Sequence, residues 1–161
     1  MAKEPQTVDK GDIRVIGIQA QTTMKNSVND VSALWGEVMK RNNEIPNKVG
    51  NNVIFGIHEF SEMSVLNENT PFTYMVSLEV NNTDSVPQGM LAKTLAPAKY
   101  AVFTHKGPMN TIGDSYSYIY KTWFPQSGNK VKASEYFEYY DNRFRGPNDP
   151  NSQVDIYIPM Q

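Results

Sequence analysis

The chain of 161 residues contains no cysteine. Disulfide bonds, thiolate zinc sites and a cysteine nucleophile are therefore excluded. Histidine is scarce as well, because only His58 and His105 are present. The two fall in predicted strands of different halves, without the His-Glu-x-x-His spacing of a helical zinc site. On this inventory we expect no metal site.

Three common sequence motifs are also missing: the Gly-x-Gly-x-x-Gly turn, the phosphate-binding loop and the Gly-x-Ser-x-Gly elbow. They would have supported dinucleotide binding, nucleoside triphosphate binding and acyl transfer, respectively. We therefore expect no bound cofactor.

Long apolar runs are absent too. No stretch is long enough to span a membrane, and residues 1–12 lack the apolar segment of a secretory signal. Neither end carries a lipidation motif. These absences predict a cytoplasmic protein without membrane association.

The formal net charge is −2, from 15 basic and 17 acidic residues. The lysines are scattered among polar residues, whereas a protein that binds nucleic acid normally presents a basic surface. We therefore expect no direct binding to nucleic acid. A slightly acidic chain is compatible with cationic ligands.

Hydrophobic periodicity predicts strands at 13–20, 52–60, 72–80, 90–95, 99–105, 136–144 and 154–159. A first helix is predicted after Asn26 or Ser27, with an apolar face made of Val28, Val31, Leu34, Trp35, Val38 and Met39. A second is predicted after Asn110 or Thr111, with an apolar face made of Ile112, Tyr116, Ile119, Tyr120 and Trp123.

The order strand, helix, strand pair occurs twice, over about 12–82 and 90–161, with a turn-rich linker at 81–89. This repeat predicts an α+β fold of two pseudo-symmetric strand-helix-strand-strand lobes, with antiparallel sheets and a central ligand groove. We expect a single domain over 12–161. Residues 1–11 are predicted to be a flexible N-terminal tail.

The most informative segment is Tyr-Phe-Glu-Tyr-Tyr-Asp at 136–141. Because strand side chains alternate, Glu138 is expected to share a face with Tyr136 and Tyr140, and Phe137 and Tyr139 to point the other way. A single carboxylate on an aromatic surface suits a bulky apolar cation. The same group could instead act as a general acid or base, or could face water on an edge strand.

Five separated motifs follow one another in the second half: Tyr-Ala-Val-Phe-Thr-His-Lys-Gly at 100–107, Trp-Phe-Pro at 123–125, Ser-Gly at 127–128, Phe-Glu-Tyr-Tyr at 137–140 and Asp-Ile-Tyr-Ile-Pro at 155–159. Together with the aromatic strand at 72–80, this ordered set resembles the GyrI-like small-molecule-binding family, also called the bacterial transcription activator effector-binding domain. The resemblance extends over residues 12–160. It implies a twofold pseudo-symmetric fold and a central pocket with a buried glutamate, which corresponds here to Glu138.

The resemblance also implies a multidrug-binding type of site, for amphipathic, cationic aromatic compounds, in which Glu138 is the electrostatic anchor. We expect the pocket walls to include Trp35, Tyr116, Trp123, Tyr74 and Tyr157, and we assign no catalytic residue. Since few residues precede Ile13, we expect a stand-alone effector-binding domain for drug or xenobiotic binding or sensing.

Two alternatives to this binding role stay open. One is a hydrolase of reactive small molecules, in which Glu138 activates water. The other is a protein-interaction module that acts on a regulator or on a topoisomerase such as DNA gyrase. Between these functions we expect a binding protein rather than an enzyme.

Overall fold

The fold contains eight strands, two α-helices and a short third helix in a computed structural model that describes residues 4–50, 53–60, 69–132 and 135–161. The first half contains β1 (Gln6–Lys10), β2 (Ile13–Thr23), α1 (Ser27–Lys40), β3 (Ile54–Phe60) and β4 (Pro71–Val80). The second half contains β5 (Leu91–Leu95), β6 (Ala98–Lys106), α2 (Ile112–Tyr118), α3 (Phe124–Ser127), β7 (Glu135–Tyr140) and β8 (Gln153–Met160). A π-helical turn, Ile119–Trp123, joins α2 to α3.

All eight strands belong to one antiparallel sheet with the order β1-β6-β8-β7-β3-β4-β2-β5. The predicted α+β class with repeated lobes is confirmed. The two lobes share this sheet because β3 pairs with β7 at its centre. The strand order reads the same from either end when the two halves are exchanged, which is the pattern expected of a pseudo-twofold repeat.

Each half contributes its first strand to the other half. β1 pairs with β6, and β5 pairs with β2. The prediction of a loose tail over residues 1–11 is therefore wrong for Gln6–Lys10, whereas residues 1–3 lie outside the described residues. Hydropathy missed β1 because it is an edge strand with mostly exposed side chains, which is held by backbone hydrogen bonds.

The sheet has a helix-covered face and a back face, and both bury apolar side chains. The back face has its own cluster: Ile13, Val15, Phe55, Ile57, Met75, Leu95, Tyr100 and Phe137. Lys93 of β5 forms ion pairs of 2.7 Å with Glu59 of β3 and with Glu135 of β7. The Lys93 side chain therefore links the edge strand β5 to the two central strands.

Both helices differ in detail from their predicted faces. In α1, Leu34 and Val38 are buried as expected, but Val28 is 78% exposed and Met39 is 41% exposed. The second predicted helix is interrupted by the π turn before it ends at Gly128, which has a positive φ of 76°. A π turn accommodates an extra residue, so the residues around and beyond it are rotated relative to a regular α-helix.

The strand predicted over 136–144 ends earlier, at Tyr140. The Asp141 carboxylate accepts hydrogen bonds from the backbone N–H and the guanidinium of Arg143, which fixes a turn there. Among the described residues, no helix has the length and hydrophobicity needed to cross a membrane.

Two glycine substitutions should have opposite effects on stability. Gly17 of β2 lies so close to the Val76 carbonyl that an added Cβ would collide with backbone, whereas a Cβ at Gly36 of α1 meets nothing within 4 Å. We expect Gly17→Ala to lower the free energy of unfolding by about 1–3 kcal/mol. Gly36→Ala should raise it by about 0.5–1 kcal/mol, because alanine favours the helix.

Urea unfolding of both variants would check this pair of expectations. A Gly17→Ala variant as stable as the parent would contradict the close approach of β2 and β4.

Candidate functional site

A cavity of about 1120 Å³ lies between the two helices and the helix-covered face of the sheet. This volume is slightly above the usual range for small-molecule sites, roughly 300–1,000 Å³, and leaves room for a ligand with several rings. Aromatic side chains dominate its lining: Trp35, Phe60, Phe72, Tyr74, Tyr116, Tyr120, Tyr136, Tyr140 and Phe144. Met24 and Val28, which are 58% and 78% exposed, also line the cavity and give it an apolar entrance.

Glu138 lies at the centre of the sheet, where β7 pairs with β3 on one side and with β8 on the other. Its side chain faces the cavity and the residue is only 4% exposed. The alternation predicted for this segment is confirmed, because Tyr136 and Tyr140 belong to the helix-side core and Phe137 and Tyr139 to the back face.

Two tyrosine hydroxyls hold the Glu138 carboxylate, in an arrangement that we call the tyrosine clamp. Tyr140 donates to Oε1 at 2.6 Å, and Tyr116 of α2 donates a short hydrogen bond to Oε2. Glu138 takes part in none of the ion pairs formed among the described residues. The carboxylate is thus hydrogen-bonded by neutral donors, and no cationic side chain in the described part of the chain forms an ion pair with it.

A second layer of contacts supports the clamp. Trp35 Nε1 donates to the Tyr74 hydroxyl at 3.2 Å, and the Trp35 ring packs edge-on against Tyr140 with centroids 4.8 Å apart. The Tyr74 hydroxyl occupies the space that a Cβ at Gly56 would need. Gly56 is directly opposite Glu138 in the β3–β7 ladder, so its missing side chain makes room for Tyr74 beside the carboxylate.

Burial fixes the protonation of the groups around Glu138. Burial, reinforced by the nearby Glu138 carboxylate, raises the pKa of Tyr116 and of Tyr140 well above the usual value, so both keep the protons that they donate. Burial lowers the pKa of His58, against the opposing influence of Glu138 and of the Gly56 backbone. Neutral imidazole is therefore favoured in the cavity wall near pH 7.

Four of the six side chains predicted for the site line this cavity: Glu138, Trp35, Tyr116 and Tyr74. The predicted wall positions of Trp123 and Tyr157 are wrong. Trp123 lies in the π turn and packs edge-on against Phe103 at 5.2 Å, which turns it away from the cavity. Tyr157 follows the helix-facing Ile156 in β8, so strand alternation places it on the back face, stacked on Phe137 at 4.5 Å.

Sequence reasoning missed several lining residues, among them His58 and Tyr120. His58 lies two residues after Gly56 in β3, so the two residues lie on the same face of the strand. The alternation of side chains along a strand could therefore have predicted this position from the sequence. The His58 ring is stacked on Phe72 at 5.6 Å and on Tyr136 at 4.7 Å. Tyr120 belongs to the predicted apolar face of the second helix, but helical periodicity does not distinguish a cavity-lining ring from a core ring.

Comparisons with known proteins agree with this geometry. The model of the GyrI-like small molecule binding domain matches residues 3–161. The chain is 42% identical over 130 residues to transcriptional regulator BrlR of Pseudomonas aeruginosa, which corresponds to 81% of this chain and 46% of BrlR. It therefore spans about half the length of the curated relatives that it matches.

Solved structures share the fold at low sequence identity. The structure of SAV2435 bound to tetraphenylphosphonium has a TM-score of 0.72 and 17% identity, and the match covers 99% of this chain and 94% of that one. The C-terminal domain of EcmrR has a TM-score of 0.75 and 12% identity, and the match covers 100% and 98%.

The tyrosine clamp predicts a strong energetic coupling between Tyr140 and Glu138. Tyr140→Phe leaves one oxygen of a buried carboxylate without its donor, so we expect the free energy of unfolding to fall by about 1–3 kcal/mol. In a Glu138→Gln background, the same change should cost less, because a neutral amide needs the donor less. A double-mutant cycle in urea would measure this coupling, and additive effects would contradict it.

The two tryptophans should behave differently on substitution. Trp35→Leu removes a cavity-facing ring, so the affinity for an aromatic cation should fall several-fold, as expected for about 0.5–2 kcal/mol of cation–π contact. Trp123→Leu should lower stability by about 1–3 kcal/mol and leave affinity unchanged, because Trp123 packs outside the cavity. Calorimetric titration and urea unfolding of both variants separate the two effects; equal affinity losses would contradict this placement of Trp123.

Proposed function

This chain belongs to the GyrI-like small-molecule-binding family, and we propose on that premise that its cavity binds amphipathic aromatic cations. The observation that carries the proposal is the buried Glu138 carboxylate, which neutral tyrosine hydroxyls hold in place without an ion pair among the described residues. A bound cation supplies the missing positive charge, in a site of low dielectric where the attraction is poorly screened.

The lining of the cavity supports an apolar, flat-ringed ligand. Glu138 is the one Asp, Glu, Lys or Arg side chain among the described residues of the lining, and nine of the other lining residues are Phe, Tyr or Trp. Aromatic faces attract cations and also bury apolar rings. A hydrophilic cation without rings gains little from this wall, so the site selects for charge combined with apolar area.

The relatives support both the ligand class and a sensing role. One solved neighbour, SAV2435, is bound to tetraphenylphosphonium, a cation surrounded by four phenyl rings. The curated relative BrlR is a transcriptional regulator. We propose that this domain detects cationic aromatic compounds and that its role is in drug or xenobiotic binding or regulation.

The charge of Glu138 can be tested with two ligands of similar shape. Methyltriphenylphosphonium is a cation, whereas triphenylphosphine oxide is neutral and of nearly equal size. We expect Glu138→Gln to weaken the cation by about 1–3 kcal/mol, the cost of losing a charged partner. The neutral compound should be little affected, and isothermal titration calorimetry measures both affinities.

Glu37→Gln is the matched control, because Glu37 is an exposed carboxylate on α1. It removes the same charge from solvent, where screening is strong, and should leave both affinities unchanged. Equal losses for the cation and the neutral compound in Glu138→Gln would show that Glu138 is structural. Chromatographic recovery of altered ligand after incubation would instead favour hydrolysis over binding.

A further inference from the structure

A buried histidine and a buried serine join α2 to strand β6 of the sheet. His105 of β6 and Ser115 of α2 are both 0% exposed, and His105 Nδ1 lies 2.7 Å from the Ser115 hydroxyl oxygen. His105 shares the helix-covered face of β6 with Ala101 and Phe103, because side chains alternate along a strand. Neither His105 nor Ser115 lines the cavity, so the pair lies outside the binding site described above.

The second nitrogen of His105 fixes the direction of this hydrogen bond. Nε2 lies 3.3 Å from the Pro108 carbonyl oxygen and 3.3 Å from the Thr111 hydroxyl oxygen. The Thr111 hydroxyl donates to the same carbonyl at 2.6 Å, so both oxygens are available to Nε2 only as acceptors. Nε2 therefore carries the proton, and Nδ1 accepts a hydrogen bond from the Ser115 hydroxyl. Burial lowers the pKa of His105, which favours this neutral form near pH 7.

The contacts of His105 hold the chain segment that leads into α2. Two of them are made to Pro108 and Thr111, before the helix begins, and the third is made to Ser115 within it. The same segment supplies five residues of the cavity lining: Met109, Asn110, Ile112, Gly113 and Tyr116.

The tyrosine clamp depends on the position of α2 at one of its two donors. Tyr140 and Glu138 belong to the same strand, so the sheet fixes their separation. Tyr116 belongs to α2, and its hydroxyl reaches Glu138 only while the helix keeps its place over the sheet. Ser115 directly precedes Tyr116, so its bond to His105 fixes the helix at the residue next to the clamp.

We propose that His105 is a positioning residue for ligand binding, because through Ser115 it holds the Tyr116 hydroxyl on the Glu138 carboxylate. The inference rests on the proposed function, since it assigns a further residue to the same site. A hydroxyl that donates to a carboxylate favours the ionised form and fixes the direction of its charge. Loss of this hold should weaken the binding of cations and spare neutral ligands of the same shape.

The test uses Ser115→Ala, which removes the donor to His105 and leaves the histidine in place. Methyltriphenylphosphonium should bind this variant about three- to tenfold more weakly than the parent, the scale of one hydrogen bond. The affinity for triphenylphosphine oxide should stay nearly unchanged, and isothermal titration calorimetry measures both. In a Tyr116→Phe background, which lacks the hydroxyl to be positioned, Ser115→Ala should cause no further loss of cation affinity.

Ser77→Ala is the matched control for the loss of a buried serine hydroxyl. Ser77 is also 0% exposed, its hydroxyl donates to the Phe55 carbonyl at 3.1 Å, and neither residue lines the cavity. This variant should lose stability in urea but keep the parent's affinities for the cation and for the neutral compound.

Two substitutions of nearly equal shape test His105 itself. Asn and Leu have the same branched outline, but only Asn places a polar atom near the position of Nδ1 and can accept from Ser115. His105→Asn should therefore retain more cation affinity than His105→Leu. If His105→Leu does not fold, the cycle of Ser115→Ala and Tyr116→Phe decides the question.

Four outcomes would overturn the positioning role and leave the proposed function intact. They are an unchanged cation affinity in Ser115→Ala, equal losses for the two ligands in that variant, a loss that persists in the Tyr116→Phe background, and equal cation affinities of His105→Asn and His105→Leu. A parent protein that does not bind methyltriphenylphosphonium would instead overturn the proposed function.

Discussion

The centre of this fold depends on burying the Glu138 carboxylate, which has no basic partner among the residues that the structure describes. Removing a charge from water is costly, and the cost is bearable only when both oxygens are hydrogen-bonded. One donor, Tyr140, comes from the same strand, but the other, Tyr116, comes from α2 and must be held in register with the sheet. A hydrogen bond of 2.7 Å between the buried side chains of His105 on β6 and Ser115 on α2 supplies that anchor next to Tyr116.

The approximate symmetry of the sheet is broken where the two halves meet. Glu138 of the second half is directly opposite Gly56 of the first half, so a carboxylate faces a residue without a side chain. The space at Gly56 is used by the Tyr74 hydroxyl, which accepts the hydrogen bond from Trp35. A symmetric arrangement would have placed two carboxylates side by side, with strong mutual repulsion. The asymmetric one gives a single negative centre between two aromatic walls.

Period-2 and helical patterns in the sequence predicted the bounds of β2, β4, β6 and β8 closely. They also predicted the face of the strand on which Glu138 lies and the repeat of the two halves, because burial on one face imposes such patterns. The pairing of β3 with β7, which makes one sheet of two lobes, was not predictable, since hydropathy does not identify strand partners. The position of Trp123 was not predictable, because a π turn has no hydrophobic signature. The position of Tyr157 follows from the alternation of side chains along β8, which places it on the opposite face from Ile156. The edge strand β1 was missed because it buries almost nothing.

The exchange of first strands has a consequence for how the chain folds. β1 finds its partner β6 on the far side of the linker, with Gln6 opposite Val102, so the sheet cannot be completed until more than half of the chain is in place. A fragment that ends in the linker would lack the partner of β1 and would leave the edge of β2 uncovered. The two lobes are thus interlocked, although each resembles a small folding unit. Such non-local pairing implies slow, cooperative folding of the whole domain, with neither half independently stable.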